Sequence, residues 1–165
     1  MGKYFTINEL CKSGSHPELV EIPQQGTQIY NNITYLIERL DVIREKWGSP
    51  IIVTSGYRPP ALNKAVRGSQ TSSHLTGLAV DIHPKEGNII DLARIIATLP
   101  MEYDQLILEY ITENDGEITG CKWLHVGFSR NRNRGQILAY DGKKYIPVKA
   151  YEKPILTTKI EFVTE

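Results

Sequence analysis

Two histidines and one aspartate have the types and spacing that suit a metal site. His74 precedes Asp81 by seven positions, and the segment before Asp81 has the pattern of an extended strand. In such a strand Gly77, Ala79 and Asp81 share one face, so the two small residues leave open space beside the carboxylate. A catalytic zinc typically takes three His, Asp or Glu ligands and leaves one position to water. The third candidate is His125, which lies within an apolar run.

Each of these residues also has an ordinary structural explanation. A histidine within a strand is commonly a hydrogen-bonded core residue, and an aspartate after small residues commonly caps a turn. The combination, rather than either residue alone, favours a metal site. His83, two positions after Asp81, is either a group that orients this site or a partly exposed loop residue.

The composition narrows the possible functions. The chain has 165 residues, of which 41% are apolar and 23% charged, as in one ordinary globular domain. Its 19 basic and 19 acidic residues balance, so no overall field attracts nucleic acid. Cys11 and Cys121 lie too far apart in sequence to suggest a disulfide framework or a Cys-based zinc knuckle. Any metal is therefore left to histidine and carboxylate ligands.

The apolar runs are too short to cross a bilayer, and the N-terminus lacks the apolar stretch of a signal peptide. We therefore expect synthesis in the cytoplasm, no membrane partner, no nucleic-acid partner and a monomer.

The elements that must position the candidate ligands follow from hydrophobic periodicity and turn residues. Apolar residues at three- and four-residue steps predict a long helix over 27–47, and capping and apolar patterns predict shorter helices at 7–12, 60–66 and 89–99. Strands are predicted at 51–55, 78–82, 105–110 and 122–128, the last two as an antiparallel hairpin. These elements predict an α+β fold: a small, mainly antiparallel sheet with helices packed on one side.

After residue 128 the pattern of residues changes, first to a polar and basic stretch. A polar, basic break over 130–134 is followed by a turn at 141–142 and a last β-like stretch over 157–163. We therefore predict one domain over 1–128 and a C-terminal tail over 129–165 that adds strands to it.

The spacing S-x-H-x-x-G-x-A-x-D over residues 72–81, followed by W-x-H over 123–125, resembles the signature of the zinc D-Ala-D-Ala carboxypeptidase family. Relatives of that family include phage L-Ala-D-Glu endolysins and, at the level of fold, lysostaphin-type peptidases and the hedgehog amino-terminal domain. Residues 55–58 and 60–63 resemble the family's segment before the first ligand, and the whole resemblance covers about residues 4–128. Residues 5–11 near the N-terminus and residues 131–134 after the last candidate ligand also resemble a subgroup of that family common in prophages.

The resemblance implies a zinc peptidase domain over 1–128 with zinc as its cofactor. The zinc ligands that it implies are His74, Asp81 and His125. Arg58 corresponds to an arginine that polarises the scissile carbonyl or holds a substrate carboxylate; the alternative is a surface arginine that pairs with a nearby acid. Tyr57 and Ser72 are implied substrate-binding residues, although Ser72 is equally suited to stabilising its loop.

The sequence departs from the family at the general base. In well-known members the base is an acidic residue three positions before the last ligand histidine, and here that position is Lys122. We predict Glu109 as the base instead. If Glu109 pairs opposite Trp123, it shares a face with His125 as a diagonal neighbour, whereas a shift of one residue turns it to the other face. The alternatives are acidic residues of the connecting turn or a Glu109 that faces solvent.

The expected function is hydrolysis of a peptide bond in the stem or cross-link of bacterial peptidoglycan, after phage-type release or delivery to the wall. Two alternatives remain on the sequence alone. Lys122 at the base position favours a non-catalytic zinc-binding module, and an adhesive tail favours a structural component of a phage particle. The sequence leaves open whether the bond is D-Ala-D-Ala or L-Ala-D-Glu.

Overall fold

Capping side chains mark where three of the four α-helices begin. The structure, a computed structural model, describes residues 2–150 and 160–162. Thr6 and Thr27 each accept a hydrogen bond from the backbone N–H three residues on, and Asn88 accepts one from the N–H two residues on. The described part contains four α-helices, which are α1 (Ile7–Leu10), α2 (Gln28–Trp47), α3 (Pro60–Ala65) and α4 (Ile89–Thr98).

The four helices predicted from the sequence are confirmed. The longest, α2, ends where Gly48 adopts a left-handed backbone with φ 79°. Short 3₁₀ helices lie at Pro17–Leu19 and Ser73–Thr76. Within the described ranges no helix is both long and apolar enough to cross a membrane.

The strands form a mainly antiparallel sheet, so the fold is α+β as predicted. The described strands are β1 (Ile51–Ser55), β2 (Ala79–Pro84), β3 (Gln105–Glu109), β4 (Thr112–Asn114), β5 (Glu117–Gly120), β6 (Trp123–Gly127), β7 (Gln136–Tyr140), β8 (Tyr145–Ala150) and β9 (Ile160–Phe162). Their order in the sheet is β1-β2-β6-β3-β7-β8-β9-β5-β4. The neighbours β3 and β7 run parallel, whereas the other pairs described are antiparallel.

Strands β3 and β6 pair antiparallel, as predicted. The segment that joins them forms a further hairpin, β4–β5, which the sequence analysis did not predict. Its turn is Asp115-Gly116, with φ 50° and 79°. An Asp-Gly pair with positive φ at both residues is typical of a two-residue β-hairpin turn, and this signal in the sequence was missed.

The two faces of the central strands β2, β6 and β3 carry different chemistry. One face is apolar and fully buried, and α4 packs against it. Its residues are Val80, Ile82, Leu106, Leu108, Leu124 and Val126. On the other face Asp81 lies opposite His125, and His125 lies opposite Ile107. Because neighbouring residues of a strand point to opposite faces, one register serves both the core and the polar face.

The described part of the 129–165 segment joins the same sheet. Strand β7 pairs with β3 so that Tyr140 lies beside Glu109, and β8 pairs with β7 so that Tyr145 lies beside Tyr140. The turn predicted at 141–142 lies between these two strands. Residues 151–159 and 163–165, which include parts of the predicted last strand, lie outside the described residues. The domain boundary at residue 128 stays a prediction.

A buried asparagine on α2 ties three parts of the chain together. The Asn32 side chain is 5% exposed, and its amide N–H donates to the Thr76 carbonyl at 2.9 Å. Its Oδ1 accepts from Gln28 Nε2 at 2.9 Å and from Arg130 Nε at 3.2 Å. Thr76 belongs to the 3₁₀ helix that carries His74, so Asn32 fixes that helix to α2.

Replacing Asn32 by alanine removes these bonds and leaves the Thr76 carbonyl without its partner. We expect the free energy of unfolding to fall by about 1–3 kcal/mol, measured by urea denaturation. Asn31→Ala is the matched control, because the Asn31 side chain is exposed and only its backbone carbonyl contacts Arg130. The control should change stability by no more than about 0.5 kcal/mol. Equal losses in both variants would contradict this account of Asn32.

A charge pair fixes the start of β7 to the start of β3. Arg134 donates from Nε to Asp104 Oδ1 at 2.9 Å and from Nη2 to Asp104 Oδ2 at 2.7 Å. The hydrogen bonds from Arg134 lower the pKa of Asp104 below its ordinary value.

The lowered pKa of Asp104 predicts a pH dependence of stability. A carboxyl group with a lowered folded-state pKa stabilises the protein above its unfolded-state pKa of about 3.9, and this contribution is lost as the pH falls further. Wild type should therefore be more stable than Asp104→Asn at pH 7, and the difference should shrink below about pH 4. Urea denaturation across this range measures it. Because Arg134 is half exposed, the difference in stability between wild type and Asp104→Asn should also shrink in high salt. A difference that changes with neither pH nor salt would refute the ion-pair explanation.

Candidate metal centre

The three predicted ligands meet in one place. His125 Nδ1 lies 3.0 Å from Asp81 Oδ1 and 3.2 Å from His74 Nε2, and His74 Nε2 lies 3.3 Å from Asp81 Oδ1. Tetrahedral coordination with metal–ligand bonds of about 2.0–2.2 Å places ligand atoms about 3.3–3.6 Å apart. The observed spacing is close to this range. Two imidazole nitrogens and one carboxylate oxygen are also a donor set that zinc commonly takes, so the residues fit the ion.

The loop before β2 holds His74 in a fixed orientation. His74 is 2% exposed, and its backbone N–H donates to Ser72 Oγ at 3.3 Å. Its Nδ1 lies 2.7 Å from the Gly56 carbonyl oxygen. A carbonyl can only accept, so Nδ1 carries the hydrogen and Nε2 presents its lone pair to the other two ligands. Such a bond fixes both the ring orientation and the tautomer of a metal-binding histidine.

Only a glycine fits at the position that supplies this carbonyl. A Cβ atom on Gly56 would lie 2.2 Å from the Leu10 carbonyl oxygen, which is backbone and cannot move aside easily. The Leu10 carbonyl also accepts a hydrogen bond from the Tyr57 N–H at 2.7 Å. The close approach of residues 10 and 56 therefore sets where the acceptor for His74 lies.

Asp81 is a buried carboxylate surrounded by positive and polar groups. Its Oδ2 accepts from Arg58 Nη2 at 3.0 Å, while its Oδ1 faces the two imidazoles. Burial alone would raise the pKa of Asp81, but in acid the protonated forms of His74 and His125 outweigh burial and hold this pKa well below its ordinary value. Asp81 therefore stays ionised at neutral pH, as a metal ligand must.

His74 responds to burial in the opposite sense. Desolvation lowers the pKa of His74, and the neighbouring Asp81 only partly opposes this shift. Burial thus favours the neutral imidazole, which is the form that binds a metal.

Glu109 lies on the same face of the sheet as the three ligand candidates. The predicted register is confirmed: Glu109 pairs opposite Trp123, and Ile107 pairs opposite His125. Burial raises the pKa of Glu109, His125 opposes this rise, and Asp81 adds to it. Lys122, which stands at the usual position of the base, is exposed, and its Nζ lies 4.8 Å from the centre of the Tyr110 ring.

The metal centre opens into a cavity of about 650 Å³. Its lining includes the three ligand candidates, Arg58, Glu109 and Ser72, which the sequence analysis named, and most residues of the polar loop 67–73. Arg58 lies in this wall, where its Nε donates to Ser55 Oγ at 2.9 Å. Tyr57 belongs instead to the hydrophobic core at 8% exposure, and neither Tyr57 nor His83 is among the described residues that line the cavity.

Several cavity residues escaped the sequence analysis. They come mainly from the ends of β3 and from the C-terminal strands, and include Gln105, Tyr110, Arg134, Leu138, Tyr140 and Tyr145. Alternation in β7 was the available signal, because every second residue from Gln136 to Tyr140 shares a face. The parallel pairing that turns this face toward the metal centre joins distant segments and has no local signature.

The ionised Asp81 carboxylate and the two imidazoles form a group that could hold a metal ion, and the Glu109 carboxylate lies in the same cavity. The chain belongs to the peptidase M15 family, because the family model described as Peptidase M15 matches residues 3–110. The match contains His74, Asp81 and Glu109 and ends before His125. No curated protein matches the chain. Members of this family are metallopeptidases that typically use zinc. The family match therefore supports a peptidase activity for this chain.

Gly56→Ala tests how the metal centre is positioned. The added methyl group must displace the Gly56 backbone from Leu10, so the acceptor that orients His74 also moves. Disturbing such a contact typically costs about 10–100-fold in metal affinity, and we expect a loss of this size for zinc, measured by competition with a chromophoric chelator. The control is Gly14→Ala, since a Cβ there would meet nothing within 4 Å. Wild-type zinc affinity in a folded Gly56→Ala protein would show that the bond to residue 56 does not position His74.

Proposed function

We propose that this chain is a zinc-dependent peptidase that hydrolyses a peptide bond in the stem or cross-link of bacterial peptidoglycan, as a D-Ala-D-Ala carboxypeptidase or an endolysin-like endopeptidase. One observation carries the proposal: the ligand atoms of His74, Asp81 and His125 lie within 4.8 Å of one another, in a cavity that also contains Glu109. Membership in the M15 family supports the same reaction class.

His74, Asp81 and His125 would hold the zinc ion. Bound zinc supplies Lewis-acid chemistry, which polarises a carbonyl and makes water a better nucleophile near neutral pH. The three side chains prepare for it in different ways. The Gly56 carbonyl fixes the lone pair of His74, Asp81 remains ionised, and His125 presents Nδ1 to the other two ligand atoms.

Glu109 is the proposed general base. Its carboxylate would accept a proton from the attacking water and return that proton to the nitrogen of the leaving amine as the peptide bond breaks. Its pKa, raised by burial, suits both steps, because a weakly acidic carboxyl group exchanges protons more readily than one that is strongly ionised. Asp81 and Glu109 therefore have separate roles, one as ligand and the other as proton carrier.

Arg58 is proposed to act on both Asp81, the proposed metal ligand, and the substrate. One guanidinium nitrogen pairs with Asp81 and Nε binds Ser55, whereas Nη1 has no hydrogen-bond partner among the described residues. Nη1 could then donate to the oxyanion that develops on the scissile carbonyl, or to a substrate carboxylate. Ser72 would act mainly through the loop, because its Oγ holds the backbone of His74.

The polar and charged groups of the cavity wall support a peptide substrate with carboxylates. On one side the wall is the hydroxyl-rich loop 67–73, where Arg67 is exposed and has no ion-pair partner within the described ranges. A permanently charged guanidinium in such a loop suits a peptide that ends in, or carries, a carboxylate.

We further propose that the fold is of the hedgehog/D-Ala-D-Ala-peptidase type. We propose that the protein acts at the bacterial wall, which it reaches by phage-type release or delivery.

Glu109→Gln tests this function together with the choice of base. Wild-type protein loaded with zinc should release new amino groups or free D-Ala from purified peptidoglycan, and a chelator should abolish this release. Glu109→Gln should bind zinc as wild type does but lose about 10²–10⁴-fold in kcat, because glutamine cannot accept the proton. Glu113→Gln is the matched control, since Glu113 is an exposed residue of β4.

The outcomes separate the two parts of the claim. Full activity in Glu109→Gln would exclude Glu109 as the base while leaving the peptidase in place. Stoichiometric zinc binding with no release from any peptidoglycan substrate would contradict the enzyme and favour a non-catalytic zinc-binding module.

A further inference from the structure

Four aromatic side chains form a continuous row in the wall of the cavity. These residues, the aromatic row, are Trp123, Tyr110, Tyr140 and Tyr145. The ring centres are 5.2 Å apart between Trp123 and Tyr110, 5.1 Å between Tyr110 and Tyr140, and 4.7 Å between Tyr140 and Tyr145. All four rings line the same cavity as the metal centre.

The strand register places the aromatic row directly beside the proposed base. Glu109 pairs opposite Trp123 on β6 and lies beside Tyr140 on β7, and Tyr140 lies beside Tyr145 on β8. Paired residues share a face of the sheet, so the row starts next to the metal centre and continues away from it across the C-terminal strands. Because the family match ends at residue 110, Tyr140 and Tyr145 lie beyond the part of the chain that it covers.

The backbone of Tyr110 is held in an unfavourable conformation. Its φ is 56°, in the left-handed region that favours glycine. The ring nevertheless contacts two other rings of the row, and the Lys122 ammonium lies 4.8 Å from its centre. Strained residues of this kind cluster at ligand sites, because surrounding contacts must compensate for the strain.

The aromatic row also leaves apolar surface open to the cavity. Tyr145 is 56% exposed and Tyr110 is 39% exposed. Packing between paired aromatic residues accounts for the contact of Tyr140 with Tyr145, but it does not account for ring surface that remains uncovered. Aromatic side chains with one apolar face and one polar tip are suited to ligands that present both kinds of surface.

The chemistry of the proposed substrate indicates what covers these rings. The stem peptides of peptidoglycan consist largely of small or charged residues, which present no flat apolar face. The sugars to which the stems are attached do present one, because the axial C–H bonds of a pyranose ring form an apolar surface edged by hydroxyl groups. Such a surface stacks on an aromatic ring while its hydroxyl and acetamido groups remain free for hydrogen bonds.

We propose that the aromatic row is a sugar subsite, which binds a pyranose ring of the glycan strand while the attached peptide lies over the metal centre. This inference rests on the proposed function and adds to it a substrate class: peptides still linked to glycan, in preference to free peptides. It also sets an orientation, with the glycan over β7 and β8 and the free end of the peptide toward the loop that carries Arg67.

The test compares one peptide in two forms. A muramidase digest supplies the disaccharide-linked stem peptide, and amidase treatment of that material supplies the same peptide without sugar. We expect wild type to prefer the linked form in kcat/KM by about tenfold, mainly through KM, since stacking on an aromatic ring is a binding contribution. Tyr145→Ala should bring the ratio of linked to free substrate close to one. Tyr145→Phe keeps the ring and should keep the ratio.

Tyr4→Ala is the control for loss of an exposed tyrosine, because Tyr4 is 38% exposed and lies outside the cavity. It should leave the ratio at its wild-type value. A wild-type ratio near one would overturn the sugar subsite. The same conclusion would follow if Tyr145→Ala lowered the rates on both substrates equally, because that result indicates a purely structural role.

Binding without hydrolysis keeps this inference separate from the proposed function. The disaccharide of N-acetylglucosamine and N-acetylmuramic acid, titrated into the protein, should shift the NMR signals of the aromatic row in wild type and in Glu109→Gln. If the disaccharide binds but no peptide is cleaved, the peptidase proposal fails and the subsite stands. If it shifts none of these signals, the subsite fails even when peptides are hydrolysed.

Discussion

The register among β2, β6 and β3 is the constraint on which the rest of the site depends. It places Asp81 opposite His125, and it places Glu109 two residues along the strand from the residue that faces His125. A slip of one residue would turn Asp81 or Glu109 into the core and bring apolar side chains to the cavity. The apolar residues on the reverse face are fully buried beneath α4, so burial of the core holds the register that chemistry requires.

His74 depends on a second constraint, because it lies outside the regular strands. Three contacts determine its position: the Ser72 hydroxyl at its own backbone N–H, the Gly56 carbonyl at Nδ1, and Asn32, which binds the end of the same 3₁₀ helix at Thr76. Of these partners, Ser72 caps the 3₁₀ helix itself, Gly56 directly follows β1, and Asn32 lies on α2. The position of His74 therefore depends on how these three segments pack together.

The carboxylates of Asp81 and Glu109 lie in environments that shift their pKa values in opposite directions. Asp81 pairs with Arg58 and faces His74 and His125, and these two histidines lower its pKa, whereas burial raises the pKa of Glu109. Neighbouring acidic groups whose pKa values are pushed apart commonly serve as a fixed anion and a proton carrier. This difference supports Asp81 as the ligand and Glu109 as the base, and it explains how a site can dispense with an acidic residue at position 122.

Much of this arrangement could be predicted from the sequence, because its determinants are local. Apolar periodicity marked α2, the alternation before Asp81 marked β2, and pairing Glu109 with Trp123 predicted the observed register. The contributions of Tyr140 and Tyr145 could not be found in this way. They follow from a parallel pairing between β7 and β3, and such a pairing depends on contacts between segments about thirty residues apart. The Asp115-Gly116 turn was a local signal and was overlooked.

The position of bound zinc tests the account most directly. Crystals of the zinc-loaded protein, with anomalous diffraction recorded on both sides of the zinc absorption edge, locate the ion without reference to activity. The account predicts one zinc peak at about 2.0–2.2 Å from His74 Nε2, an Asp81 carboxylate oxygen and His125 Nδ1, with the Glu109 carboxylate within reach of one water molecule. A zinc peak at other side chains, or one bound by fewer than these three residues, would contradict it.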